Sequence, residues 1–280
     1  MRRFSADYLD DTRRGMWSPD DREALAPLDL AERSCVLDVG CGTGELSAVL
    51  AEETPEEARV VGLDRDPALL AAVPDPAHPV RADALSLPVA DGSADLVVCQ
   101  ALLINLPDPL AAVEEFSRAS SALVAAVEPD NAAVTVESTV DAEERLTARA
   151  RERFVAGVPT DVTLGAAPDL FREAGLRDVE TRRYDHVRTV EPPYDEATLE
   201  GAKRKATGSR LSEQRETLLA GGLSEAAFDA LRGEWRAMGR EVVEAMAAGT
   251  YRRRETVPFF VTVGRVPSSE SDFSAPFSLE

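Results

Sequence analysis

The chain has 280 residues, of which 44% are hydrophobic, so it can form one large domain or a core with an added cap. Its 51 acidic residues outnumber its 31 basic residues and give a formal net charge of −20 at pH 7. This charge argues against a protein that binds nucleic-acid backbones, because such proteins need a basic surface. An acidic, lysine-poor chain is typical of proteins from salt-loving microbes, although a GC-rich genome also favours arginine over lysine.

The three cysteines, Cys35, Cys41 and Cys99, are too few for a disulfide framework. We expect them to be buried thiols in a reducing cytoplasm. The N-terminus has a basic pair but lacks the apolar stretch of a signal peptide. Nothing approaches the roughly 18 consecutive apolar residues of a membrane span, so we expect a cytoplasmic protein that does not associate with membranes.

In chain order, a helical N-terminal segment at 1–30 precedes short apolar runs that alternate with helical patterns. Continuous β-branched runs separated by helices are typical of a parallel sheet covered on both faces, so the pattern predicts a doubly wound α/β fold. The predicted strands are 34–39, 59–63, 79–82, 94–99, 122–127, 178–184 and 256–263. The predicted helices that separate the first six strands are 45–52, 67–72, 109–119, 139–155 and 166–175.

The segment between the sixth and seventh strands is mostly helical. Its clearest helix begins near Ser224, and its apolar residues recur at steps of three and four, which indicates one face packed in a core rather than a ligand site. These residues are Phe228, Leu231, Trp235, Met238, Val242 and Met246. The predicted organisation is an N-terminal segment (1–30), a core (31–184), a helical cap (185–255), a final core strand (256–267) and a disordered acidic tail (268–280).

The most informative motif is the run Val-Leu-Asp-Val-Gly-Cys-Gly-Thr-Gly at 36–44, where the first strand turns into the first helix. Glycines let the backbone approach a ligand closely, and the helix start favours a carboxylate or phosphate. A dinucleotide site needs Gly-x-Gly-x-x-Gly, which would require a third glycine at position 45. That position is Glu45, and its charge would face a pyrophosphate, so the motif disfavours a nicotinamide dehydrogenase.

Further polar residues follow the next strands. Asp64 ends the second strand about 20 residues beyond the glycines, where a carboxylate can accept both hydroxyls of a ribose, and Arg65 lies beside it. Asp83 and Ala84 follow the third strand, and Gln100 follows the fourth. Because the carboxyl ends of parallel strands share one edge of the sheet, these residues predict one ligand crevice.

The spacing Asp-x-Gly-x-Gly-x-Gly, with these later residues in order, resembles class I S-adenosylmethionine-dependent methyltransferases. The resemblance is to the broad group that includes the ubiquinone/menaquinone-biosynthesis C-methyltransferases. It implies a Rossmann-like, mostly parallel sheet of seven strands in the order 3-2-1-4-5-7-6, with a helical insertion between strands six and seven. One departure is the run 117–121, Ser-Arg-Ala-Ser-Ser, which lacks the glycines that this group has before strand five.

The resemblance also implies a cofactor, S-adenosylmethionine, which leaves as S-adenosylhomocysteine. The glycine loop would pack on its methionine part, and Asp83 and Ala84 would read the adenine, with Leu85 and Leu87 on its face or in the core. An N-terminal segment closes over the cofactor in relatives, although here its arginines could equally pair with nearby aspartates. The implied cofactor-binding residues are Asp38, Gly40, Cys41, Gly42, Gly44, Asp64, Arg65, Asp83, Ala84, Gln100, Tyr8, Arg14 and Trp17.

Methyl transfer from a sulfonium needs alignment of the acceptor more than a catalytic triad, and a base helps only where the acceptor must lose a proton. Glu128 and Asp130, which leave the fifth strand, are the candidate bases, and the alternative is that they cap a helix or bind water. The two histidines, His78 and His186, are expected to lie in solvent. No metal site is expected.

We therefore expect an enzyme that methylates a small molecule by SN2 displacement and acts as a monomer or homodimer. A halophilic archaeon is the expected source. The alternatives are a methyltransferase of RNA or protein, which an arginine patch would favour, and a protein that binds S-adenosylmethionine without catalysis.

Overall fold

The computed structural model describes residues 13, 15–19 and 21–267, which form two compact units. Of the described residues, the first unit comprises those up to Glu128, Ala166–Arg183 and those from Phe260 onward, and the second comprises Pro129–Gly165 and Tyr184–Phe259. The predicted tail 268–280 and the two predicted site residues Tyr8 and Arg14 lie outside the described residues.

The first unit holds five strands and four α-helices in the part of the chain that is described. The strands are β1 (Cys35–Val39), β2 (Arg59–Asp64), β3 (His78–Arg81), β4 (Ala94–Gln100) and β5 (Ser120–Pro129). The helices are α1 (Glu45–Glu53), α2 (Pro67–Leu70), α3 (Pro109–Ala119) and α5 (Pro168–Glu173), with 3₁₀ turns at Arg22–Leu28, Leu30–Glu32 and Leu103–Asn105.

The second unit is mainly helical. Two long strands, β7 (Arg177–Val190) and β8 (Arg253–Arg265), continue along the chain from one unit into the other. The remaining elements of the second unit are β6 (Thr135–Ser138), α4 (Asp141–Gly157), α6 (Glu196–Thr207), α7 (Ser209–Glu213), α8 (Arg215–Ala220) and α9 (Glu225–Ala247).

The strand order confirms the predicted Rossmann-like fold. Strands β1 to β5 are parallel in the order β3-β2-β1-β4-β5, β8 comes next, and β7 pairs with β8. The predicted sixth and seventh strands are thus β7 and β8, and α6 to α9 form the predicted helical insertion between them. The predicted count of seven was one too few, because β6 pairs antiparallel with the first residues of β8. β6 has only four residues and one buried apolar side chain, Val136, so its pattern is too short to recognise.

The core of the first unit follows from continuous apolar strands. Side chains of β4 from Leu96 to Cys99 are fully buried, which is expected of a central strand covered on both faces. Helix α3 begins at Pro109 because Asp108 caps it by accepting the N–H of Ala111 at 3.1 Å. This helix buries Val113 and Phe116.

The core of the second unit confirms the predicted apolar stripe. Ser224 accepts the N–H of Ala227 at 3.2 Å and caps α9, so the helix begins where it was predicted to begin. All six stripe residues of α9 are buried together with residues of α4 and α6, such as Leu146 and Ala202. Within the described chain, no helix combines the length and apolarity needed to cross a membrane.

Candidate functional site

The glycine loop follows β1 and is tied to the end of β2. The N–H groups of Gly40 and Cys41 both donate to the carbonyl oxygen of Leu63, at 2.7 and 3.0 Å. Gly44 begins helix α1 with φ = +85°, and a Cβ atom there would lie 3.1 Å from the backbone of Val73. This conformation favours glycine and brings bare backbone to the carboxyl edge of the sheet, as the motif predicts.

Asp38, in β1, presents an unsatisfied acceptor next to this loop. Its side chain is 1% exposed, and Ser47 donates its hydroxyl to Oδ2 at 2.6 Å. Its Oδ1 is buried and accepts no hydrogen bond from any described residue. Burial raises the pKa of Asp38 to about 6, although the bond from Ser47 and the charge of Arg13 act in the opposite direction. A buried acceptor with an open position can receive a hydrogen bond from a cationic ligand.

Asp64 links the ends of β1 and β2. Its Oδ2 accepts the N–H of Gly42 at 3.1 Å, and its Oδ1 accepts the N–H of Asp66 at 2.8 Å. Each carboxylate oxygen has a second lone pair, so both can still receive a hydroxyl. The neighbouring Arg65 has an exposed side chain, and its carbonyl oxygen accepts a bond from Arg81.

Asp83 lies in a tight turn beside Asp64. Ala82 donates its N–H to the carbonyl oxygen of Asp64 at 3.0 Å, and Asp83 accepts the N–H of Leu85 through Oδ1 at 3.0 Å. Ala84 is half-buried between them. The turn exposes 41% of Leu85 but buries Leu87, so Leu85 is available to contact a base and Leu87 belongs to the core.

Gln100, at the end of β4, holds the N-terminal segment. Its side chain is 2% exposed, its Oε1 accepts the indole N–H of Trp17 at 3.2 Å, and its Nε2 lies 3.0 Å from the sulfur of Met16. Trp17 and Arg13 are both buried. The segment that carries Trp17 is therefore fastened to the same edge of the sheet.

Glu128 is buried and fully engaged with backbone. It accepts the N–H groups of Leu102, Leu103 and Ile104 at 3.0, 2.9 and 3.3 Å. Burial raises the pKa of Glu128 to about 7, although these three bonds favour the ionised form. This geometry matches the capping alternative rather than a base, because the carboxylate holds the 3₁₀ turn after β4.

Asp130, the other candidate base, lies just beyond β5 in the second unit. Its Oδ1 accepts the N–H groups of Ala132 and Ala133 at 2.9 and 3.3 Å, which is a local turn. A role as base for Glu128 or Asp130 stays a prediction.

The prediction for His186 was wrong, whereas His78 is exposed as expected. His186 is buried, and its ring lies edge-on to Phe259 with 6.4 Å between centroids. The error arose because β7 runs to Val190, six residues beyond its predicted end, and so carries His186 into the sheet.

The cysteines are free thiols, as predicted, but only Cys41 and Cys99 are fully buried. Burial raises the pKa of both thiols, so they are poor nucleophiles. Cys35 is half-buried, because it begins β1 at the less protected end of the strand.

Two residues that contact predicted site residues were not themselves predicted. Ser47 satisfies Asp38, and Met16 contacts Gln100. Ser47 lies on the first turn of α1, so its helical phase could have indicated a position near the loop. No pattern marks Met16. Among the described residues, no group of three or more His, Cys, Asp or Glu is arranged to hold a metal ion.

The first unit contains a segment that matches a known protein family. Residues 37–122 match the model of a family described as a methyltransferase domain. A demethylmenaquinone methyltransferase of Lactiplantibacillus plantarum is 34% identical over 106 residues, which is 35% of this chain and 45% of that protein. A trans-aconitate 2-methyltransferase of Deinococcus radiodurans is 41% identical over 91 residues, 31% of this chain and 33% of that protein.

Among solved structures, this chain is similar to phosphoethanolamine N-methyltransferase 2 of Haemonchus contortus in complex with S-adenosyl-L-methionine. That match has a TM-score of 0.44 and 17% identity, and covers 94% of this chain and 60% of the other. The chain spans less than half the length of the curated relatives above, and the match lies over the glycine loop and the strands that follow it. Residues 37–122 of this chain therefore resemble a methyltransferase domain.

Proposed function

We propose that the protein transfers the methyl group of S-adenosylmethionine to a small-molecule acceptor. The observation that carries this proposal is the polar edge formed by Asp38, Asp64 and Asp83 around a glycine loop. This edge offers carboxylate acceptors to an ammonium, a ribose and an amino group. A dinucleotide would instead place a pyrophosphate against Glu45.

The residues present fit this cofactor. The open Oδ1 of Asp38 suits the ammonium of the methionine part, and the loop beside it suits close backbone contact. Asp64 would accept the ribose hydroxyls, and the turn of Asp83, Ala84 and Leu85 would hold the adenine. S-adenosylmethionine supplies a methyl group already activated by the sulfonium charge. The chain's own residues then have to orient the acceptor and exclude water.

A small-molecule acceptor is supported by the names of the relatives, which are methyltransferases of demethylmenaquinone and trans-aconitate. The helical segment 185–255 stays our proposed cap for acceptor selection. We further propose a cytoplasmic protein adapted to high salt, on its composition and charge, that acts as a monomer or homodimer.

The proposal is tested with Asp64→Asn, which keeps the shape of the side chain but removes its charge. Calorimetric titration should show that wild-type protein binds S-adenosylhomocysteine and that Asp64→Asn binds it at least tenfold more weakly, because charge-assisted bonds to the ribose are lost. Glu56→Gln, an exposed change of the same charge, is the matched control and should bind like wild type.

Labelling of a cell extract with radioactive S-adenosylmethionine, followed by mass spectrometry of the labelled product, identifies the acceptor. Tight binding of NAD without binding of S-adenosylhomocysteine would refute the proposal. Cofactor binding with no labelled small molecule, protein or RNA would instead indicate a binding protein without catalysis.

A further inference from the structure

The second unit contains a group of basic side chains that the methyl-transfer site does not use. Four cations and two carboxylates are joined by ion pairs across α4, α6, β7 and β8. Arg151, Arg188 and Arg253 all contact Glu255, and Arg253 and Lys205 both contact Glu143. We call these six residues the basic cluster.

The charge balance of the basic cluster is the reverse of that of the whole chain. Acidic residues outnumber basic ones by 51 to 31 overall, but in the basic cluster the ion pairs between described residues join two carboxylates to four cations, which gives 4 − 2 = +2. The cluster also holds one of only two lysines in the protein, Lys205. Exposed cations on so acidic a protein find partners easily, so an excess of half-buried cations needs a specific explanation.

The carboxylates of the basic cluster are already shared among several cations. Glu255 is buried, and Arg253 and Arg188 hold its pKa well below the usual range although burial opposes this. Glu143 is buried too, and also accepts the hydroxyl of Tyr251 at 2.9 Å and that of Ser138 at 2.7 Å. Neither carboxylate therefore has capacity left for further donors.

Arg151, in contrast, retains an unused donor. The Nη1 atom of Arg151 is buried and donates to no described residue. Burial and the charges of Arg253 and Arg210 lower the pKa of Arg151 despite the opposite influence of Glu255. The pKa of Lys205 is lowered by burial and by the same two arginines, despite Glu143. Burial is the main cause of both shifts, so the two carboxylates do not fully compensate the charges of Arg151 and Lys205.

The side chains are also reachable from solvent, since Arg151, Arg188 and Lys205 are 22%, 28% and 23% exposed. Guanidinium groups present planar, paired donors that match the oxygens of a carboxylate or a phosphate. We propose that the basic cluster binds a small organic anion through its carboxylate or phosphate oxygens, with Arg151 as a principal donor. Such an anion would supply the missing negative charge and the missing acceptor.

The test titrates wild-type protein with inorganic phosphate and with succinate at fixed ionic strength, using calorimetry. Arg151→Gln removes the proposed donor and leaves Glu255 paired with two arginines, so the fold should persist. The matched control is Arg145→Gln on the same helix, because Arg145 is mostly exposed and its partner Glu234 keeps Arg149. We expect saturable binding of at least one probe to wild type and Arg145→Gln, and binding at least tenfold weaker to Arg151→Gln.

Thermal unfolding without added anion gives a second measurement. Arg151→Gln should unfold at the same temperature as wild type or higher, because the substitution removes a charge whose burial is unfavourable and leaves Glu255 paired with Arg188 and Arg253. A large fall in its unfolding temperature, or the absence of saturable binding of both probes to wild type, would show an ion-pair network with no ligand and would overturn the proposal. Equal binding by Arg151→Gln and wild type would do the same.

The two sources of such an anion are distinguished in the labelling reaction. If the anion belongs to the methyl acceptor, phosphate should suppress labelling of an acidic product by wild type. If phosphate binds saturably but leaves the labelling unchanged, the basic cluster binds a ligand other than the methyl acceptor. Because the binding measurements need no methyl transfer, they stand even if the proposed enzymatic activity fails.

Discussion

Two carboxylates in the first unit differ in what they bind, although each is close to the end of a parallel strand. Asp64 is half-buried and keeps acceptor positions for a ligand, whereas Glu128 is buried and bonded to three backbone N–H groups. The difference comes from the chain that follows each strand. The turn after β4 directs three consecutive N–H groups at Glu128, so this residue holds the turn in place.

Glu128 should impose a pH dependence on folding. Its pKa is about 7 in the folded protein and near 4.5 when unfolded, so between these values the folded state binds more protons and stability falls as pH rises. The shift corresponds to about 3 kcal/mol. Between pH 4.5 and pH 8, the stability of Glu128→Gln relative to wild type should therefore improve by about that amount, as measured by urea unfolding at a series of pH values.

The control for this prediction is Glu114→Gln, an exposed position on α3. The stability of Glu114→Gln should fall with rising pH as steeply as that of wild type. Asp38 should contribute to this fall in both proteins, because its pKa is also raised. A Glu128→Gln profile parallel to that of wild type would mean that Glu128 is ionised in the folded state across this range.

At the scale of elements, the helical part of the second unit depends on the apolar stripe of α9. Leu231 is fully buried in its centre, so Leu231→Ala removes apolar contacts and leaves a cavity. We expect a loss of about 2–5 kcal/mol in the free energy of unfolding. Leu199→Ala, at a position on α6 that is 43% exposed, is the matched substitution and should cost well under half as much. Equal losses of unfolding free energy in the two variants would show that Leu231 does not lie in the core of the second unit.

The elements that sequence patterns predicted well are those with long or repeated signals. The apolar strands β1, β4 and β5 and the helices α3 and α9 were predictable, because burial and capping affect consecutive residues. The order of the sheet came instead from the resemblance to a known family. Strand β6 and the last residues of β7 were missed, since their pairing with β8 depends on residues more than sixty positions away.

The site divides in a similar way. The glycine loop and Asp64 could be located from spacing, because a turn with positive φ requires glycine and a strand end has a fixed place in the fold. The attachment of Gln100 to Met16 and Trp17, and the three bonds to Glu128, could not be predicted. They depend on how loops close in space, for which the sequence has no periodic signal.

At the scale of the whole molecule, the net charge of −20 predicts a dependence on salt. Like charges that repel one another destabilise the compact state. Salt weakens this repulsion between charges farther apart than the Debye length, which is about 3 Å at 1 M. Exposed ion pairs such as Arg22 with Glu52 weaken under the same conditions, but pairs of this kind contribute at most about 1 kcal/mol each. Twenty acidic residues in excess (51 − 31) have no basic counterpart, so relief of repulsion should exceed the loss of ion pairs.

The melting temperature should therefore rise as KCl is increased from low concentration into the molar range. KCl is preferred to sulfate, because sulfate stabilises most proteins by exclusion from their surface whatever their charge. A neutral osmolyte such as sucrose provides the control, since its effect should not depend on charge. A melting temperature that falls steadily with KCl would contradict adaptation to high salt but would not affect the proposed methyl transfer, because the proposed site depends on a few carboxylates and the salt response depends on all 51.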